Sequence, residues 1–337
     1  MLPESREKLY KEISVIRASV YEIKKIEIPN RNRIFAIEEW KNPTGSTFDR
    51  IYPILFQEAE EKGYIVAGIT PVIEASTGNA GAAFAKCATL LGYKKCTVIT
   101  HKDTPQARVE QIKEYGCEVV FSPAGEYAKG YVKKLEEILN EDKVKKGGKI
   151  GENPHRLYCV TKISPSAKKA FHKLMQDTLF IIKKNYGVMP DFHVGVVGSG
   201  TTISGSGEYL KATLNSEKVI VVEPSELPMI QTLKAKGEVL DREKLIHEIY
   251  GIAPFGLPPE KLDINLDIID DFILLPQDTY KEGEKLLHGI EEQLVGRSSC
   301  LTLMACLKMA KKVKNKIFLM FFYDPAWKYT DSYPHLK

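Results

Sequence analysis

The chain has 337 residues, of which 43% are hydrophobic and 27% charged, and its formal net charge is +4. This length can hold two domains that share an interface, and the composition is that of a globular protein. The small net charge, without basic runs interleaved with aromatic residues, disfavours nucleic-acid binding. No apolar stretch of the sequence approaches the length of a membrane span, and the first residues lack a signal-peptide core. We therefore expect a cytoplasmic protein with no membrane partner.

The cysteines show no Cys-x-x-Cys pair and no histidine at metal-ligand spacing, so we expect no metal site. Most of them lie among apolar residues, which predicts buried free thiols in a reducing compartment. The six are Cys87, Cys96, Cys117, Cys159, Cys300 and Cys306.

The first half of the chain alternates predicted strands and helices. A charged helical stretch opens residues 1–38 and is followed by strand-like patches at 21–28 and 34–38. Apolar residues at helical spacing, ended by glycines, predict the helices. These helices cover 52–62, 80–91, 105–115 and 126–139, and strands are predicted at 72–73, 96–100 and 118–121. Such alternation indicates a parallel sheet with helices on both faces.

The second half repeats this alternation after residues 143–149, a Lys/Gly-rich stretch that predicts a solvated hinge. One helix is predicted to follow the loop at 198–202 and to run to residue 210. The other predicted helices are at 167–186, 279–294 and 301–313, and the predicted strands are at 192–197, 219–223, 272–275 and 317–322. The two halves share this architecture but no internal sequence repeat, so the prediction is an α/β protein.

One loop-to-helix junction stands out in the first half, residues 42–50, which read Asn-Pro-Thr-Gly-Ser-Thr-Phe-Asp-Arg. Pro43 biases Asn42 away from the helical region, and Gly45 permits a tight turn. A hydroxyl residue after that glycine can cap a helix that begins near Phe48. Taken alone, the stretch is compatible with any such junction.

Two further glycine loops each follow a predicted strand and precede a helix. Residues 72–81 read Val-Ile-Glu-Ala-Ser-Thr-Gly-Asn-Ala-Gly, and residues 194–205 read Val-Gly-Val-Val-Gly-Ser-Gly-Thr-Thr-Ile-Ser-Gly. Backbone N–H groups and hydroxyls at a helix start suit a carboxylate or a phosphate. Each loop also has a purely structural interpretation, which is a helix cap for the first and a tight turn for close packing for the second.

Taken in this order, the three loops resemble those of the fold type II pyridoxal-phosphate enzymes, and within them the cysteine synthases. The resemblance covers roughly residues 36–330. It implies two doubly wound, Rossmann-like, three-layer domains with the ligand cleft between them. The smaller N-terminal domain is expected at 43–150 and the larger one at 1–42 plus 151–337. A homodimer is expected from the resemblance alone.

In that family the first loop carries a lysine, in Asn-Pro-X-Gly-Ser-X-Lys-Asp-Arg, which forms the Schiff base with the cofactor. Phe48 occupies the lysine position here, although the flanking residues are kept. Pyridoxal phosphate is therefore a possible ligand, but covalent binding is not expected and no residue is predicted to be catalytic. Lys41 lies seven positions before Phe48, on the far side of the turn. No other lysine is placed by the sequence to supply the missing nitrogen.

The resemblance assigns the remaining loops to cofactor and substrate. The loop at 198–202 would bind a phosphate, and a sulfate could take the same place. Asn79 would contact the ring oxygen of the cofactor, and Ser298 would contact its pyridine nitrogen. The loop at 76–78 would hold a substrate carboxylate. A helix cap explains Ser298 equally well. The predicted cofactor-binding residues are Asn79, Gly198, Ser199, Gly200, Thr201, Thr202 and Ser298, and the predicted substrate-binding residues are Ser76, Thr77 and Gly78.

Departures from the family pattern fall at these predicted contacts. Thr201 replaces a glycine, and a positive φ there would strain a β-branched residue. Ala80 loses a hydroxyl, while Arg297 and Cys300 would bring charge and bulk beside the presumed ring site. Residues 323–329 have the position, but not the composition, of the family's C-terminal Ser-Gly-Glu-Arg-Tyr stretch.

Two functions remain open at this point. The preferred one is a non-catalytic or diverged relative, a pseudoenzyme that binds a small anion or an amino acid in the cleft, because relaxed chemistry would change several contacts of one site. The alternative is a pyridoxal-phosphate-dependent synthase, lyase or transferase of cysteine, serine or threonine metabolism. Such an enzyme would hold the cofactor non-covalently or through another lysine. The absorbance spectrum with and without pyridoxal phosphate discriminates between the two.

Overall fold

The computed structural model describes residues 2–76, 78–124, 126–214, 217–238, 240, 248–252 and 262–329. Among the helices of these ranges, none combines the length and the apolar character that crossing a membrane requires. The α-helices are α1 (Glu4–Ser14), α2 (Tyr52–Glu61), α3 (Asn79–Leu90), α4 (Gln106–Glu114), α5 (Tyr127–Lys146), α6 (Pro165–Tyr186), α7 (Thr201–Thr213), α8 (Met229–Lys236), α9 (Tyr280–Glu284) and α10 (Arg297–Ala310).

The larger of two sheets is formed by β1 (Val20–Glu22), β2 (Arg33–Glu38), β7 (Phe192–Val196), β8 (Lys218–Pro224), β9 (Ile269–Leu275) and β10 (Ile317–Phe322). Its spatial order is β1-β2-β10-β7-β8-β9, and only the edge strand β1 runs antiparallel to its neighbour within this sheet. Strand β10, Ile-Phe-Leu-Met-Phe-Phe, is buried along its whole length. Such a continuous apolar run is typical of a central parallel strand that is covered on both faces.

The smaller sheet contains β3 (Val72–Ala75), β4 (Cys96–His101), β5 (Glu118–Ser122) and β6 (Tyr158–Cys159). All its strands are parallel, in the order β5-β4-β3-β6. Two parallel sheets flanked by helices confirm the predicted α/β fold. The domain division at residue 150 stays a prediction, and the pairing of β6 with β3 favours a boundary after Cys159.

A hydrophobic cluster joins the helices that lie between the two sheets. It includes Phe35 from β2, Val72 and Val98 from the smaller sheet, and Phe171 and Leu174 from α6. Each of these side chains is almost wholly buried. Because the cluster contains strands of both sheets, burial of apolar surface fixes the two sheets relative to each other.

Helix α6 shows how local sequence sets the bounds of an element. The Ser164 side chain accepts a hydrogen bond from the backbone N–H of Ser166 at 3.3 Å, and Pro165 occupies the first helical turn. Gly187, with φ of 70°, ends the helix in the left-handed conformation. An N-cap hydroxyl, a first-turn proline and a terminal glycine are common helix-boundary signals, and they place the start two residues before the predicted 167.

Several predicted elements differ in their bounds from the observed ones, and three of the differences concern helices. Helix α5 continues to Lys146, so most of the predicted hinge at 143–149 is helical. The helix predicted at 279–294 is α9 followed by a π-helical turn at Lys285–Ile290, and it ends four residues early. Helix α10 begins at Arg297 rather than at residue 301, because Gly296 precedes it as an extended residue.

The prediction of free thiols is wrong for Cys96 and Cys117, which form a disulfide with a Cα–Cα separation of 4.9 Å. Cys96 begins β4 and Cys117 immediately precedes β5, so pairing of these neighbouring strands brings the two cysteines together. Cys87, Cys300 and Cys306 are buried and unbridged, as predicted.

Candidate functional site

The loops that the sequence predicts to bind ligand converge on a cavity of about 570 Å3. It lies where parallel strands of both sheets end, as ligand sites do in doubly wound folds. The predicted ligand-binding residues that line it are Ser76, Asn79, Gly198, Ser199, Gly200, Thr202 and Ser298. Gly78 and Thr201 lie next to lining residues without forming the wall, and Thr77 falls outside the described residues.

The first loop is held in place by its own polar side chains. Asn42 donates to a Glu39 carboxylate oxygen at 2.8 Å and to the Ser46 carbonyl at 3.0 Å. Asp49 accepts from the backbone N–H and the hydroxyl of Thr44 at 2.9 and 2.8 Å. Burial raises the pKa of Asp49. The family-like residues around position 48 therefore have a structural role in this chain, whatever binds in the cavity.

Phe48 lies in a short 3-10 helix, Thr47–Arg50, and forms part of the cavity wall. Its half-buried ring packs against the hydrophobic cluster between the sheets. Ser46, also on the wall, has a buried hydroxyl with no hydrogen-bond partner within the described residues. A buried unpaired hydroxyl on a cavity wall indicates a polar group that the cavity receives.

In the second loop the Ser76 hydroxyl caps helix α3. Its oxygen accepts hydrogen bonds from the backbone N–H groups of Gly78 and Gly81 at 3.1 and 2.9 Å. Ser76 therefore has the helix-capping role that the sequence allowed. Its hydroxyl hydrogen is not used by these two bonds and can still be donated to a ligand. Gly78 has φ of 134°, and a Cβ there would come within 2.4 Å of Arg108 Cδ.

The third loop places its glycines where backbone segments approach closely. A Cβ on Gly198 would lie 2.5 Å from the Gly251 carbonyl oxygen, and one on Gly200 would lie 2.9 Å from the Asp263 carbonyl oxygen. The positive φ, 99°, falls on Gly200, and Thr201 is the first residue of α7. The expected strain at Thr201 is therefore absent. The N-terminus of α7 faces the cavity through residues 198–200 and 202.

The concern that Arg297 and Cys300 crowd the ring site is wrong. Ser298 lines the cavity, but the Arg297 guanidinium turns to the Glu248 carbonyl at 3.0 Å and stacks 4.7 Å from the centre of the Tyr280 ring. The Cys300 side chain is fully buried in the core of the larger sheet, where burial raises its pKa well above the usual value. Neither side chain reaches the cavity wall.

A buried polar network lies at the floor of the cavity, beneath Asn79. Asn79 Nδ2 donates to Asp324 Oδ2 at 2.7 Å, and Lys328 Nζ donates to Asn79 Oδ1 at 2.8 Å. Arg108 forms an ion pair with Asp324 at 3.1 Å, and the Tyr329 hydroxyl donates to the same carboxylate at 2.6 Å. Arg108 and Tyr329 also share a hydrogen bond.

A lysine forms part of the cavity wall itself. Lys162 Nζ lies 3.0 Å from the Ala75 carbonyl oxygen and 3.5 Å from Glu74 Oε1. Glu74 is buried and also accepts the Tyr52 hydroxyl at 2.7 Å. Lys41, by contrast, is half exposed and paired with Glu38 at 2.6 Å. The sequence did not indicate these positions: the fold brings Lys162 to the cavity wall and places Lys328 behind Asn79.

Sequence reasoning missed the network residues and Lys162. One signal was present, since residues 323–329 align in position with a family stretch of different composition. A difference of composition does not say which side chains point inward, and that orientation is fixed only by contacts with α3 and α4.

One mainly parallel and one fully parallel sheet, with strand-end glycine loops around a cleft, define an α/β protein of the ligand-binding type. Residues 15–323 match the family "Pyridoxal-phosphate dependent enzyme", so the chain belongs to that family. It is 27% identical over 295 residues to the cysteine synthase of Staphylococcus aureus, covering 87% of this chain and 86% of that protein. It is also 27% identical over 312 residues to the probable cysteine synthase of Bacillus subtilis, covering 92% of each chain.

Solved structures agree on the fold. An O-ureido-L-serine synthase superposes with a TM-score of 0.79 at 23% identity, covering 96% of this chain and 92% of that one. A hydrogen sulfide-producing enzyme of Fusobacterium nucleatum gives 0.79 at 24% identity, covering 97% and 100%. These likenesses confirm the fold type II assignment of the chain.

The family's cofactor can be tested against the groups on the cavity wall. The N-terminus of α7, with Ser199 and Thr202, suits its phosphate, and Ser298 is a hydroxyl that a pyridine nitrogen can bond. The unpaired hydroxyl of Ser46 is a further polar group awaiting a partner. These groups fit a phosphate-bearing ring, whereas the side chain at position 48 is a phenyl ring and offers no nitrogen.

Proposed function

We propose that this chain binds a small anionic molecule, pyridoxal phosphate or an amino acid among them, in the cleft and performs no chemistry through residue 48. One observation carries the proposal: Phe48 forms the wall of the same cavity that the α7 anion loop faces. An aromatic ring there can stack on a bound ring or fill its space, but it has no nucleophilic nitrogen. In this proposal Phe48 takes the position of the family's lysine.

The proposed ligand contacts follow from the wall. Residues 198–202 would hold a phosphate, Ser298 a ring nitrogen, and Asn79 a ring oxygen, while Ser76 with Gly78 would receive a carboxylate. Pyridoxal phosphate, when bound, supplies an electron-withdrawing ring that stabilises negative charge on an amino acid. The protein's own part is to bind, orient and exclude water. A lysine that shuttles the α-proton is the component that position 48 lacks.

Neither of the site's lysines is a good replacement for a lysine at position 48. Lys162 reaches the cavity, but its amine is hydrogen-bonded to the Ala75 carbonyl and paired with the Glu74 carboxylate, so these contacts hold it away from a ligand. Lys328 is fully buried, and Asn79 stands between it and the cavity. A nucleophilic lysine needs access and a lost proton together, so we propose that cofactor binding here is non-covalent.

Anion binding predicts a concentration-dependent rise in melting temperature. A ligand at ten times its dissociation constant stabilises the folded state by about 1.4 kcal/mol, which corresponds to about 2 °C for a chain of this size. The measurement is a thermal melt with phosphate or pyridoxal phosphate against sodium chloride of equal ionic strength. No shift at millimolar ligand would mean that the α7 loop does not hold an anion.

The second candidate is a pyridoxal-phosphate-dependent enzyme of cysteine, serine or threonine metabolism that uses another lysine. Lys162 on the cavity wall is the observation that favours it. Borohydride reduction of the wild-type protein with pyridoxal phosphate, followed by peptide mapping, decides between the candidates. We expect no stable adduct at Lys162 or Lys328. An adduct at either lysine would reject the non-covalent proposal and support the second candidate.

The assembly and location of the chain remain predictions. A homodimer is proposed from the family resemblance, and sedimentation at the mass of one chain would contradict it.

Within the described ranges, no cluster of His, Cys, Asp and Glu side chains has a geometry that could hold a metal ion.

A further inference from the structure

Lys328 is wholly buried beneath the cavity, at the place where three separate segments meet. Its Nζ donates to Asn79 Oδ1 at 2.8 Å and to the Gly45 carbonyl oxygen at 3.2 Å. Lys328 itself belongs to a short C-terminal 3-10 helix, Ala326–Tyr329. One amine therefore ties together the first glycine loop, the start of α3 and the end of the described chain. A buried lysine is costly, so a defined role at this junction is expected.

The partners of Asn79 fix the direction of its amide. An ammonium group only donates and a carboxylate only accepts, so Oδ1 must face Lys328 and Nδ2 must face Asp324. The amide nitrogen carries two hydrogens, and Asp324 takes one of them. Because Asn79 is part of the cavity wall, the second hydrogen is the one that a ligand can meet.

We propose that Lys328 is a positioning residue: it holds the Asn79 amide so that its second N–H donates to an oxygen of the anionic ligand in the cavity. The inference rests on the proposed ligand-binding function and adds to it a residue that does not touch the ligand. The chemical class that this donor selects is a ring or carbonyl oxygen that carries negative charge, since charge-assisted hydrogen bonds are the stronger ones.

The groups around Lys328 make this arrangement sensitive to pH. The negative charges of Asp324 and Asp49 favour the charged form of Lys328, and the positive charge of Arg108 disfavours it. The Tyr329 hydroxyl donates a hydrogen bond to the Asp324 carboxylate. Burial is the largest effect and lowers the pKa of Lys328 to about 7. The amine is thus protonated below neutral pH and loses its proton above it. Its bond to Asn79 is charge-assisted only on the acidic side, so the ligand binds more tightly there.

The test compares wild type with Lys328→Met, using 4′-deoxypyridoxine 5′-phosphate as the probe because it has no aldehyde with which an amine could react. Dissociation constants are measured at pH 6 and pH 8. The probe's own protonation changes equally in the two measurements. The ratio of the two dissociation constants therefore reports only the effect of Lys328. We expect Lys328→Met to bind about tenfold more weakly at pH 6 and less than threefold more weakly at pH 8. Lys328→Arg, which stays charged, should restore affinity and remove the pH dependence.

A double-mutant cycle separates positioning from general destabilisation. In an Asn79→Ala background, Lys328→Met should change the dissociation constant at pH 6 by less than twofold, whereas additive effects would overturn the inference. So would a wild-type to Lys328→Met ratio that is the same at both pH values. If Lys328→Met does not fold, the ratio of wild type to Asn79→Ala must show the same pH dependence. Wild type that binds no probe at either pH rejects the proposed function, whereas binding with a constant ratio rejects only the role of Lys328.

Discussion

Phe48→Lys should turn the protein yellow on addition of pyridoxal phosphate, and borohydride should bleach the colour and leave a stable adduct at residue 48. The side chain at this position already forms the cavity wall, so an amine there meets the ligand directly. The supporting loop is intact, since Asn42 and Asp49 keep their hydrogen bonds within it. The measurements are the visible absorbance spectrum and the mass of the peptide that contains residue 48.

Phe48→Met is the matched control, because it keeps an apolar side chain of similar reach without an amine. It should remain colourless while it retains any phosphate-dependent rise in melting temperature. A wild-type protein that is already yellow and reducible would reject the non-catalytic proposal. A colourless Phe48→Lys variant would show that the cleft has lost the cofactor site as well as the lysine. In that case the fold serves another ligand or partner.

The convergence of the loops could be predicted from sequence because each signal is local. Strand, glycine and helix start follow one another within about ten residues at 72–81 and again at 194–205. Ligand sites in such sheets lie beyond the carboxyl ends of the parallel strands, so loops that follow these strands are candidates for a cleft. The resemblance to the fold type II enzymes assigned Asn79, Gly198 and Ser298 to one site, and all three line the cavity.

The direction of individual side chains could not be predicted in this way. Arg297 and Cys300 flank Ser298 in sequence, but on a helix they occupy different faces, and only packing decides which face meets the cleft. The Arg297 guanidinium packs on the Tyr280 ring, and Cys300 is buried in the hydrophobic core. Residues adjacent in a motif are therefore not all at the site. Substitutions near a motif are weak indicators of lost chemistry until the helix is oriented.

Lys328 was missed for a different reason. Its hydrogen bonds span 249 residues to Asn79 and 283 residues to Gly45. Nothing within a local window reports such a contact, and the charge of a lysine by itself suggests a solvated side chain. The disulfide between Cys96 and Cys117 belongs to the same kind of miss, since it depends on the pairing of β4 with β5.

Gly200→Ala should lower the free energy of unfolding by about 2–4 kcal/mol and abolish anion-dependent stabilisation. Gly200 has φ of 99°, a conformation that alanine adopts only with strain, and the added Cβ would lie 2.7 Å from Ile264 Cβ and 2.9 Å from the Asp263 carbonyl oxygen. The loop must move to relieve these contacts. Because Gly200 directly precedes α7, that movement withdraws the helix N-terminus from the cavity.

Gly187→Ala is the matched control for this change. Gly187 also has a positive φ, 70°, but a Cβ there would meet no atom within 4 Å of it among the described residues. It should lower the free energy of unfolding by about 1 kcal/mol, from backbone strain alone, and leave the phosphate-dependent shift intact. Denaturant unfolding and thermal melts with and without phosphate give both quantities. Equal loss in the two variants, or a Gly200→Ala protein that still responds to phosphate, would show that the anion site does not depend on the close packing of this loop.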